Sequence, residues 1–469
     1  MPFFPQKRYS LRNTIFFCGE GLLIFLSILA AYWLLLGDAL FMVDLTINCL
    51  QALVVTTVFQ LCLYFFDLYD LKTDSSLPDT FTRITQAFGV GCIVLGLLYY
   101  LAPKITIDNW VFWSGYAVIC AAVFSWRFLY YIVLRKRLFA QKVVIIGVGG
   151  LASEIAQQLE GRLDSAYSVY AFVGDGQPDY NPNGLQVVGK LEELTDNNKQ
   201  EELTDYLSIN DIERIIVALE NRRGSMPLTT LLHCKLRGIP IEEGVTFYER
   251  TTGCIPVRYV DSSWLIFSQG FAVTRWRLAV QRSIDLVVSL TLFVITLPVI
   301  LLTAIAVRLE SPGPVLYRQE RVGLYGALFQ VMKFRSMRQD AEKNGAVWAS
   351  LNDKRVTHCG AFIRKTRIDE LPQLWNIFKG EMSLVGPRPE RPVFVEELSK
   401  HIPFYGMRHD MKPGLTGWAQ INYPYGSSIE DALHKLEYDL YYIKHTSLAL
   451  DLLIIFRTVK TILFRKGSR

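Results

Sequence analysis

Residues 286–307, LVVSLTLFVITLPVILLTAIAV, form an apolar run of 22 residues without a charged side chain. As an α-helix this run is about 33 Å long, at ~1.5 Å per residue, which is just enough to cross a bilayer. Pro298 lies near its middle, where the missing N–H and the ring kink a helix. Basic residues flank both ends: Arg275, Arg277, Arg282, Arg308, Arg318 and Arg321. Because positive flanks stay on the cytoplasmic side, we predict a bent, re-entrant helix that leaves by the leaflet it entered, rather than a straight span.

Four further apolar segments precede this run, at residues 13–36, 45–66, 84–102 and 110–134. Each is close to the ~20 residues that a membrane-spanning helix needs. The links 38–44 and 103–108 carry a single basic residue between them. The segments 72–83 and 135–137, like the N-terminus, hold the basic residues of this region. The sequence therefore predicts a four-helix transmembrane bundle, uncleaved, with both ends and everything that follows in the cytoplasm.

The composition fits membrane segments joined to soluble domains, because 51% of the 469 residues are hydrophobic and 20% are charged. The net charge of +5 gives no reason to expect nucleic acid as a partner. Eight cysteines occur without a C-x-x-C pair, which predicts free thiols in a reducing compartment. Glu20 lies inside the first apolar segment and is a functional candidate on that ground. The alternative is a carboxylate that reaches the interface or bonds to a neighbouring helix.

The middle of the chain has the sequence pattern of a parallel α/β unit, in which strands alternate with helices. Its predicted strands are 143–147, 168–173 and 214–219, and its predicted helix is 151–159. Gly147, Gly149 and Gly150 follow the first strand, where glycines let a phosphate approach a helix N-terminus. Ser153 replaces the third glycine of the dinucleotide fingerprint, so we interpret the unit as a structural or regulatory domain. A bound nucleotide-like ligand is the alternative.

Charged and turn-forming residues concentrate between 315 and 425. Lys333 and Arg335 are two apart in a predicted strand, which places them on one face. Arg364, Asp369 and Glu370 crowd within seven residues, and the motifs Gly-Pro-Arg-Pro and Lys-Pro-Gly-Leu-Thr-Gly-Trp follow. Fixed loops that carry arginine hold phosphates, and nearby arginines would lower the pKa of a carboxylate and keep it nucleophilic. The alternative is that the two acids only stabilise the N-terminus of a helix at 371–378.

From about residue 278 the chain resembles the bacterial sugar transferases, the monotopic polyprenyl-phosphate hexose-1-phosphate transferases. The matching motifs are Pro312–Val315, Gln319–Gly323, Lys333–Met337, Arg364–Asn376, Gly380–Pro389 and Pro413–Gln420. The four N-terminal apolar segments and the α/β unit that follows them resemble those of the long members of that family. The stretches 248–256 and 264–267 are similar to its exopolysaccharide-associated members. One departure is Leu297, where several members have serine before the kink proline, so the bend depends on Pro298 and the basic flanks.

The resemblance implies ping-pong transfer of a sugar-1-phosphate from a UDP-sugar to undecaprenyl phosphate, with release of UMP. Asp369 would be the nucleophile that forms an aspartyl-phosphosugar, and Glu370 its partner in holding Mg²⁺ or managing the proton. The implied substrate- and phosphate-binding residues are Lys333, Arg335, Arg364, Arg388 and Gln420. The reaction would initiate exopolysaccharide or O-antigen-type glycan assembly at the bacterial inner membrane. A homodimer is a further expectation.

The predicted fold is thus an α-helical membrane bundle plus α/β. Its domains are 1–138, the four-helix bundle; 139–250, a Rossmann-like domain; 251–277, a linker; and 278–469, the re-entrant helix with a small interfacial catalytic α/β domain. The C-terminal segment 447–469 alternates apolar and basic residues, which favours a helix in the membrane interface. Packing of that helix against the protein's own core is the alternative.

Two other functions have to be weighed. A membrane-anchored nucleotide-sugar dehydratase or epimerase needs an intact dinucleotide loop and a downstream Tyr-x-x-x-Lys pair. The one such spacing is Tyr100–Lys104, which precedes the glycine loop. A non-catalytic scaffold for polysaccharide machinery would have no need of the adjacent acids and their arginines.

Overall fold

The structure, a computed structural model, describes residues 11–69, 77–135, 140–161, 165–179, 181, 184–188, 209–219, 226–338, 355–424, 426 and 428–463. The chain divides into two compact units, Arg8–Gly244 and Val245–Arg469. The basic residues of 1–10, 72–76 and 136–137, on which the predicted orientation depends, lie outside the described residues.

The first unit begins with four long helices at the predicted apolar segments. They are α1 (Leu11–Val43), α2 (Leu45–Phe65), α3 (Leu77–Leu101) and α4 (Asn109–Arg135). Within the described residues, these four and one later helix are long and apolar enough to cross a membrane. The backbone of α1 leaves the helical region at Gly37, where φ is 73°. The prediction of several apolar helices near the N-terminus is confirmed.

Glu20 is bonded to a neighbouring helix, as the second interpretation of this residue expected. The carboxylate is fully buried and accepts two hydrogen bonds from Arg127 of α4, at 2.6 and 2.8 Å. A third guanidinium nitrogen donates to the Leu68 carbonyl after α2, at 2.8 Å. Since a buried charge needs a partner with good geometry, this pair fixes α1 against α4.

A parallel sheet follows, and the predicted α/β character is confirmed. Its elements are β1 (Gln141–Ile146), α5 (Gly150–Glu160), β2 (Tyr167–Val173), β3 (Arg214–Val217), α6 (Leu228–Leu236) and β4 (Ile241–Glu243). Among the described residues the strand order is β2-β1-β3-β4, with every neighbouring pair parallel. Gly147 ends β1 with φ 123°, and a Cβ there would lie 2.4 Å from the Ala218 carbonyl oxygen. Both the positive φ and the close approach of the Ala218 carbonyl therefore require glycine at this position.

The second unit contains the residues of the predicted site. Its helices and strands are α7 (Gly244–Thr252, which begins one residue earlier), α8 (Ser262–Phe267), α9 (Arg275–Glu310), β5 (Leu316–Val322), β6 (Leu328–Phe334), α10 (His358–Lys365), α11 (Gln373–Lys379), β7 (Ser383–Val385), α12 (Pro392–His401), β8 (Gly414–Thr416), α13 (Trp418–Asn422), α14 (Ile429–Lys444) and α15 (Leu448–Leu463). β5 and β6 form an antiparallel hairpin, and β7 pairs with β8 in parallel. Pro298 lies inside α9.

The stretch 251–277, interpreted as a linker, packs into this unit. The Ile255 N–H donates to the Glu437 carbonyl at 3.0 Å, and the Trp418 indole donates to the Gly253 carbonyl at 2.8 Å. Just before the stretch, Glu249 forms a buried ion pair with Lys444, at 2.7 Å. These partners are far away in the sequence, so no local pattern announced them.

The C-terminal helix α15 combines both interpretations of its segment. Leu450 and Ile454 are buried against the unit, which is the packed alternative. The opposite side exposes Leu452 (55%), Phe456 (38%), Val459 (45%) and Ile462 (45%). An apolar stripe that remains exposed on a packed helix is typical of a membrane-facing surface.

Candidate active site

Asp369 and Glu370 lie in a 3-10 turn, Ile368–Glu370, between α10 and α11. Arg367 begins the turn in the left-handed conformation, with φ 61°. That conformation costs a residue with a side chain roughly 1–2 kcal/mol, and such outliers occur where the surroundings hold a functional group in place. The turn closes through the Glu370 N–H, which donates to the Arg367 carbonyl at 3.2 Å. Both acids are thus presented ahead of α11.

Glu370 is the carboxylate to which the cations of the site converge. Its Oε1 lies 3.0 Å from Arg388, 3.4 Å from Arg367 and 3.9 Å from Lys333. Burial alone would raise the pKa of Glu370, but the neighbouring cations, Arg388 foremost, lower it to about 2. An acid with three cationic partners does more than stabilise the N-terminus of α11, so the helix-dipole alternative does not account for it.

Asp369 differs from its neighbour. Its side chain is 8% exposed, and among the residues that the structure describes no cation lies within ion-pair distance of it. Burial first, and then the charge of Glu370, raise the pKa of Asp369 to about 6. Lys333, Arg367 and Arg364 lower the pKa of Asp369, as the sequence predicted for arginines beside a carboxylate, but burial and the charge of Glu370 outweigh them, so the net shift is upward. A pKa of about 6 still leaves Asp369 ionised at neutral pH and makes it the more basic of the two.

Lys333 reaches the dyad from β6, and burial lowers its pKa to about 8 against the opposing effect of Glu370. Arg335 does not join it. The Arg335 N–H donates to the Val315 carbonyl at 2.9 Å, directly after the last residue of β6. The Arg335 guanidinium donates to the Ser311 carbonyl at 2.7 Å and the Ser311 hydroxyl at 2.9 Å, at the end of α9. Lys333 and Arg335 therefore have different partners, and the assignment of Arg335 to the substrate remains a prediction.

Of the two remaining predicted residues, Arg364 lies close to the dyad and Gln420 has its partner elsewhere. Arg364, in the last turn of α10, is close enough to lower the pKa of Asp369. Gln420 of α13 donates to the Leu415 carbonyl at 3.4 Å. Within the described part of the chain, no hydrogen bond or ion pair joins Gln420 to the dyad. Its assignment to the substrate remains a prediction.

Asn376 is a site-building residue that the sequence did not single out. It is fully buried in α11. Its amide oxygen accepts from the Met332 N–H at 3.1 Å, and its amide nitrogen donates to the Gln330 carbonyl at 2.7 Å. These bonds hold α11 against β6 beside Lys333. Asn376 lies in the longest family motif, and a polar residue inside a short apolar helix was the available signal.

The first half of α9 is bonded to the rest of the unit through polar residues that sequence reasoning treated as flanks. Arg277 pairs with Asp451 of α15, and Arg282 donates to the last carbonyls of α11, at 2.6 and 2.7 Å. Asp285 accepts from the Leu384 N–H at 2.9 Å and the Ser383 hydroxyl at 3.1 Å, in β7. The membrane-type helix is therefore fixed to the fold that carries the dyad.

The dyad suits a magnesium ion that is shared with a substrate. Within the described residues there is no cluster of three or more His, Cys, Asp or Glu side chains that could hold a metal by themselves. Mg²⁺ is commonly bound by one or two carboxylates together with substrate phosphates. The carboxylate of Asp369, which has no cation within ion-pair distance among the described residues, and that of the adjacent Glu370 are the oxygen ligands that the dyad offers to such an ion. The residues fit the ion.

Comparison with known proteins shows which families and relatives the chain is similar to. A family model described as "Bacterial sugar transferase" matches residues 276–465, and one described as "CoA-binding domain" matches residues 64–235. The undecaprenyl-phosphate galactose phosphotransferase of Salmonella typhimurium is 30% identical over 375 residues, which cover 76% of this chain and 75% of the relative.

Two further relatives are matched over less of their length. The UDP-N-acetylgalactosamine-undecaprenyl-phosphate N-acetylgalactosaminephosphotransferase of Aeromonas hydrophila is 41% identical over 239 residues, 51% of this chain and 56% of the relative. The undecaprenyl-phosphate glucose phosphotransferase of Komagataeibacter xylinus is 34% identical over 340 residues, 71% of this chain and 61% of the relative. The chain thus spans less than two thirds of these two proteins.

Proposed function

The chain belongs to the bacterial sugar transferase family, and from that membership we propose that it transfers a sugar-1-phosphate from a UDP-sugar to undecaprenyl phosphate. UMP is the second product, and the lipid-linked sugar initiates an exopolysaccharide or O-antigen-type glycan. The observation that carries the proposal is the asymmetry of the dyad: Asp369 is buried with no cation within ion-pair distance among the described residues, beside a Glu370 that three cations hold.

In the first step, a carboxylate oxygen of Asp369 attacks the phosphorus nearest the sugar. The bond from that phosphorus to the bridging oxygen breaks, and UMP leaves with the electron pair. Asp369 then carries the sugar phosphate as an acyl phosphate. The raised pKa of Asp369, which burial causes, favours this role, since a more basic carboxylate is the better nucleophile. Arg388 and Lys333 bind the diphosphate oxygens, and Mg²⁺, when bound, neutralises their charge.

In the second step, a phosphate oxygen of undecaprenyl phosphate attacks the same phosphorus. The acyl phosphate bond breaks, and Asp369 returns as a carboxylate. Each step exchanges one phosphorus–oxygen bond for another, so ATP is not consumed. A catalytic fold fixed to a membrane helix brings a lipid confined to the bilayer together with a soluble nucleotide sugar.

The protein, in this proposal, crosses the bacterial inner membrane with α1 to α4 and keeps the parallel α/β sheet domain and the catalytic domain in the cytoplasm, while α9 enters and leaves by one leaflet. The packing of α9 supports the re-entrant path. Arg277 near its start bonds to Asp451, and Val307 near its end is buried with Phe334 and Ile363. Between them the helix is exposed, for example 66% at Ile295. A helix whose two ends are held by one small fold does not need to emerge on the far side.

Labelling of Leu309→Cys with a membrane-impermeant thiol reagent tests this path. Leu309 is 82% exposed near the end of α9, and a straight span would carry it to the periplasm. We expect no labelling in intact cells above that of the parent protein, and full labelling after lysis. Lys104→Cys, in the link between α3 and α4, should label from outside and serves as the positive control. Labelling of Leu309→Cys in intact cells would establish a true span.

The activity is tested by UMP release from the purified protein with Mg²⁺, undecaprenyl phosphate and a UDP-sugar. The relatives' names include glucose, galactose and N-acetylgalactosamine, so these three donors are the first to compare. We expect UMP and a lipid-linked phosphosugar from at least one donor, and loss of both with EDTA because the diphosphate charge is then uncompensated. Intact donor with all three would contradict the proposal.

A further inference from the structure

The loop Pro387–Glu390 carries Arg388, and its backbone is held at every carbonyl. In chain order these carbonyls accept hydrogen bonds from the Gly414 N–H at 2.9 Å, the Arg408 guanidinium at 2.9 Å, the Arg321 guanidinium at 3.0 Å and the Val322 N–H at 3.0 Å. Loop carbonyls usually bond to water, so a run of four bonded to protein is an unusual degree of fixation. Two of the four donors are side chains. Arg321 lies in β5, and Arg408 lies in a different element, a 3-10 segment.

Arg408, which donates to the Arg388 carbonyl, is more deeply buried than Arg321. Arg408 is 5% exposed and lies in the 3-10 segment Tyr405–Asp410. One terminal nitrogen donates to the Tyr405 hydroxyl at 2.6 Å, and the other donates to Asp439 at 2.8 Å and to the Arg388 carbonyl at 2.9 Å. Asp439, on α14, is 1% exposed. The guanidinium is thus fixed from two sides while it holds the loop.

Removing such an ion pair from water is expensive, and a pair of apolar side chains would often stabilise a fold as well. The ion pair of Arg408 and Asp439 is therefore a candidate for a role beyond packing. Within the part of the chain that the structure describes, the hydrogen bond that joins this pair to the site is the one to the Arg388 carbonyl, and the Arg388 side chain reaches Glu370 at 3.0 Å. A guanidinium that binds phosphate in two-point geometry must be oriented as well as near, and its backbone sets that orientation.

We propose that Arg408, anchored by Asp439, is a positioning residue that orients Arg388 towards Glu370 and the donor diphosphate. The inference rests on the proposed function, because it assigns Arg388 to the transferring phosphate. Arg408 does not touch the reacting atoms. It acts through the backbone of the loop, so its effect depends on the presence of the Arg388 side chain.

The test is a double-mutant cycle of Arg408→Lys and Arg388→Ala, measured as UMP release per folded enzyme. Lysine keeps the charge beside Asp439 but lacks the planar fork that bonds two partners and the loop at once. In the wild-type background we expect Arg408→Lys to lower kcat/KM by about 10- to 100-fold, mostly in kcat, as a displaced phosphate ligand does. In the Arg388→Ala background it should lower the residual activity by less than about twofold, because the two residues then act as one unit.

Lys444→Gln is the matched control. Lys444 lies on the same helix as Asp439 and forms a comparably buried pair with Glu249, and among the described residues no hydrogen bond or ion pair joins Glu249 to the loop. This variant should lose thermal stability to a similar degree and keep the kcat of the folded enzyme. If Arg408→Lys yields no folded protein, Tyr405→Phe, which removes one bond to the guanidinium, goes through the same cycle with a smaller effect of the same sign.

Two results would overturn the inference: losses that multiply in the double variant, or a Lys444→Gln enzyme that loses as much kcat as Arg408→Lys. Either would make Arg408 a general stabiliser of the fold. The wild-type protein is measured alongside, so failure of the inference stays separate from failure of the proposed function. If the wild-type protein releases UMP from none of the donors, it is the proposed function that fails.

Discussion

Asp369→Asn is expected to abolish UMP release, with a loss of at least about a thousandfold, while the protein stays folded. An amide cannot attack phosphorus and form the acyl phosphate, and removal of a nucleophile eliminates the covalent route entirely. Burial raises the pKa of Asp369 to about 6, so at neutral pH the fold holds an ionised group that its surroundings disfavour. The neutral amide should therefore unfold at the same temperature as the wild type or a higher one.

Two quantities are measured: the initial rate of UMP release and the temperature of thermal unfolding. Unfolding is followed in EDTA, so that the difference between variants comes from the side chains and not from bound metal. Asp369→Ala serves as the companion variant, because it cannot return to aspartate by deamidation. Wild-type activity in either variant would remove Asp369 from the reaction. An unfolded Asp369→Asn protein would contradict the electrostatic description of the dyad.

Glu370→Gln is expected to damage both activity and stability, which distinguishes it from Asp369→Asn. The change leaves Arg388, Arg367 and Lys333 without their shared counter-charge. The ion pairs are half-buried, so removing their shared carboxylate costs roughly 1–3 kcal/mol, and the arginine that binds phosphate loses its orienting partner as well. We expect UMP release to fall by at least about a hundredfold, since a misplaced phosphate ligand has an effect of that order.

The stability difference should depend on pH in a defined direction. The cations lower the pKa of Glu370 from 4.5 to about 2, so its contribution is complete above the ordinary pKa and is lost as the pH falls towards 2. The unfolding free energies of wild type and Glu370→Gln should therefore converge between pH 4.5 and pH 2. Glu396→Gln, which breaks an exposed pair with Lys400 on α12, should change neither stability nor activity. A pH-independent difference would show that Glu370 does not act through its charge.

Features with a local signal were predictable from the sequence. The apolar helices follow from length and composition, and the parallel sheet follows from short apolar runs that alternate with helical stretches. The dyad and its arginines were found because they lie close together in one motif. The family resemblance assigned Lys333 and Arg388 to phosphate binding, and in the structure both lie beside Glu370.

Features that depend on distant partners were not predictable. Glu20 pairs with a residue 107 positions away, and the supposed linker is held by α14, about 180 positions away. The bonds of Arg335 to Ser311 join residues 24 positions apart, and no local pattern indicated them. The difference in pKa between two adjacent acids also lies outside the sequence, because it depends on which of them the folded cations reach. Such facts are set by tertiary packing.

The central claim is that the side chain of Asp369 becomes bonded to phosphorus during turnover. The most direct test is to incubate the protein with Mg²⁺ and a radiolabelled UDP-sugar in the absence of undecaprenyl phosphate, quench it, and map the label by mass spectrometry. The account predicts one sugar phosphate on the peptide that contains Asp369, discharged when undecaprenyl phosphate is added. Label on another residue, or lipid-linked product formed by an enzyme that never carries label, would contradict it.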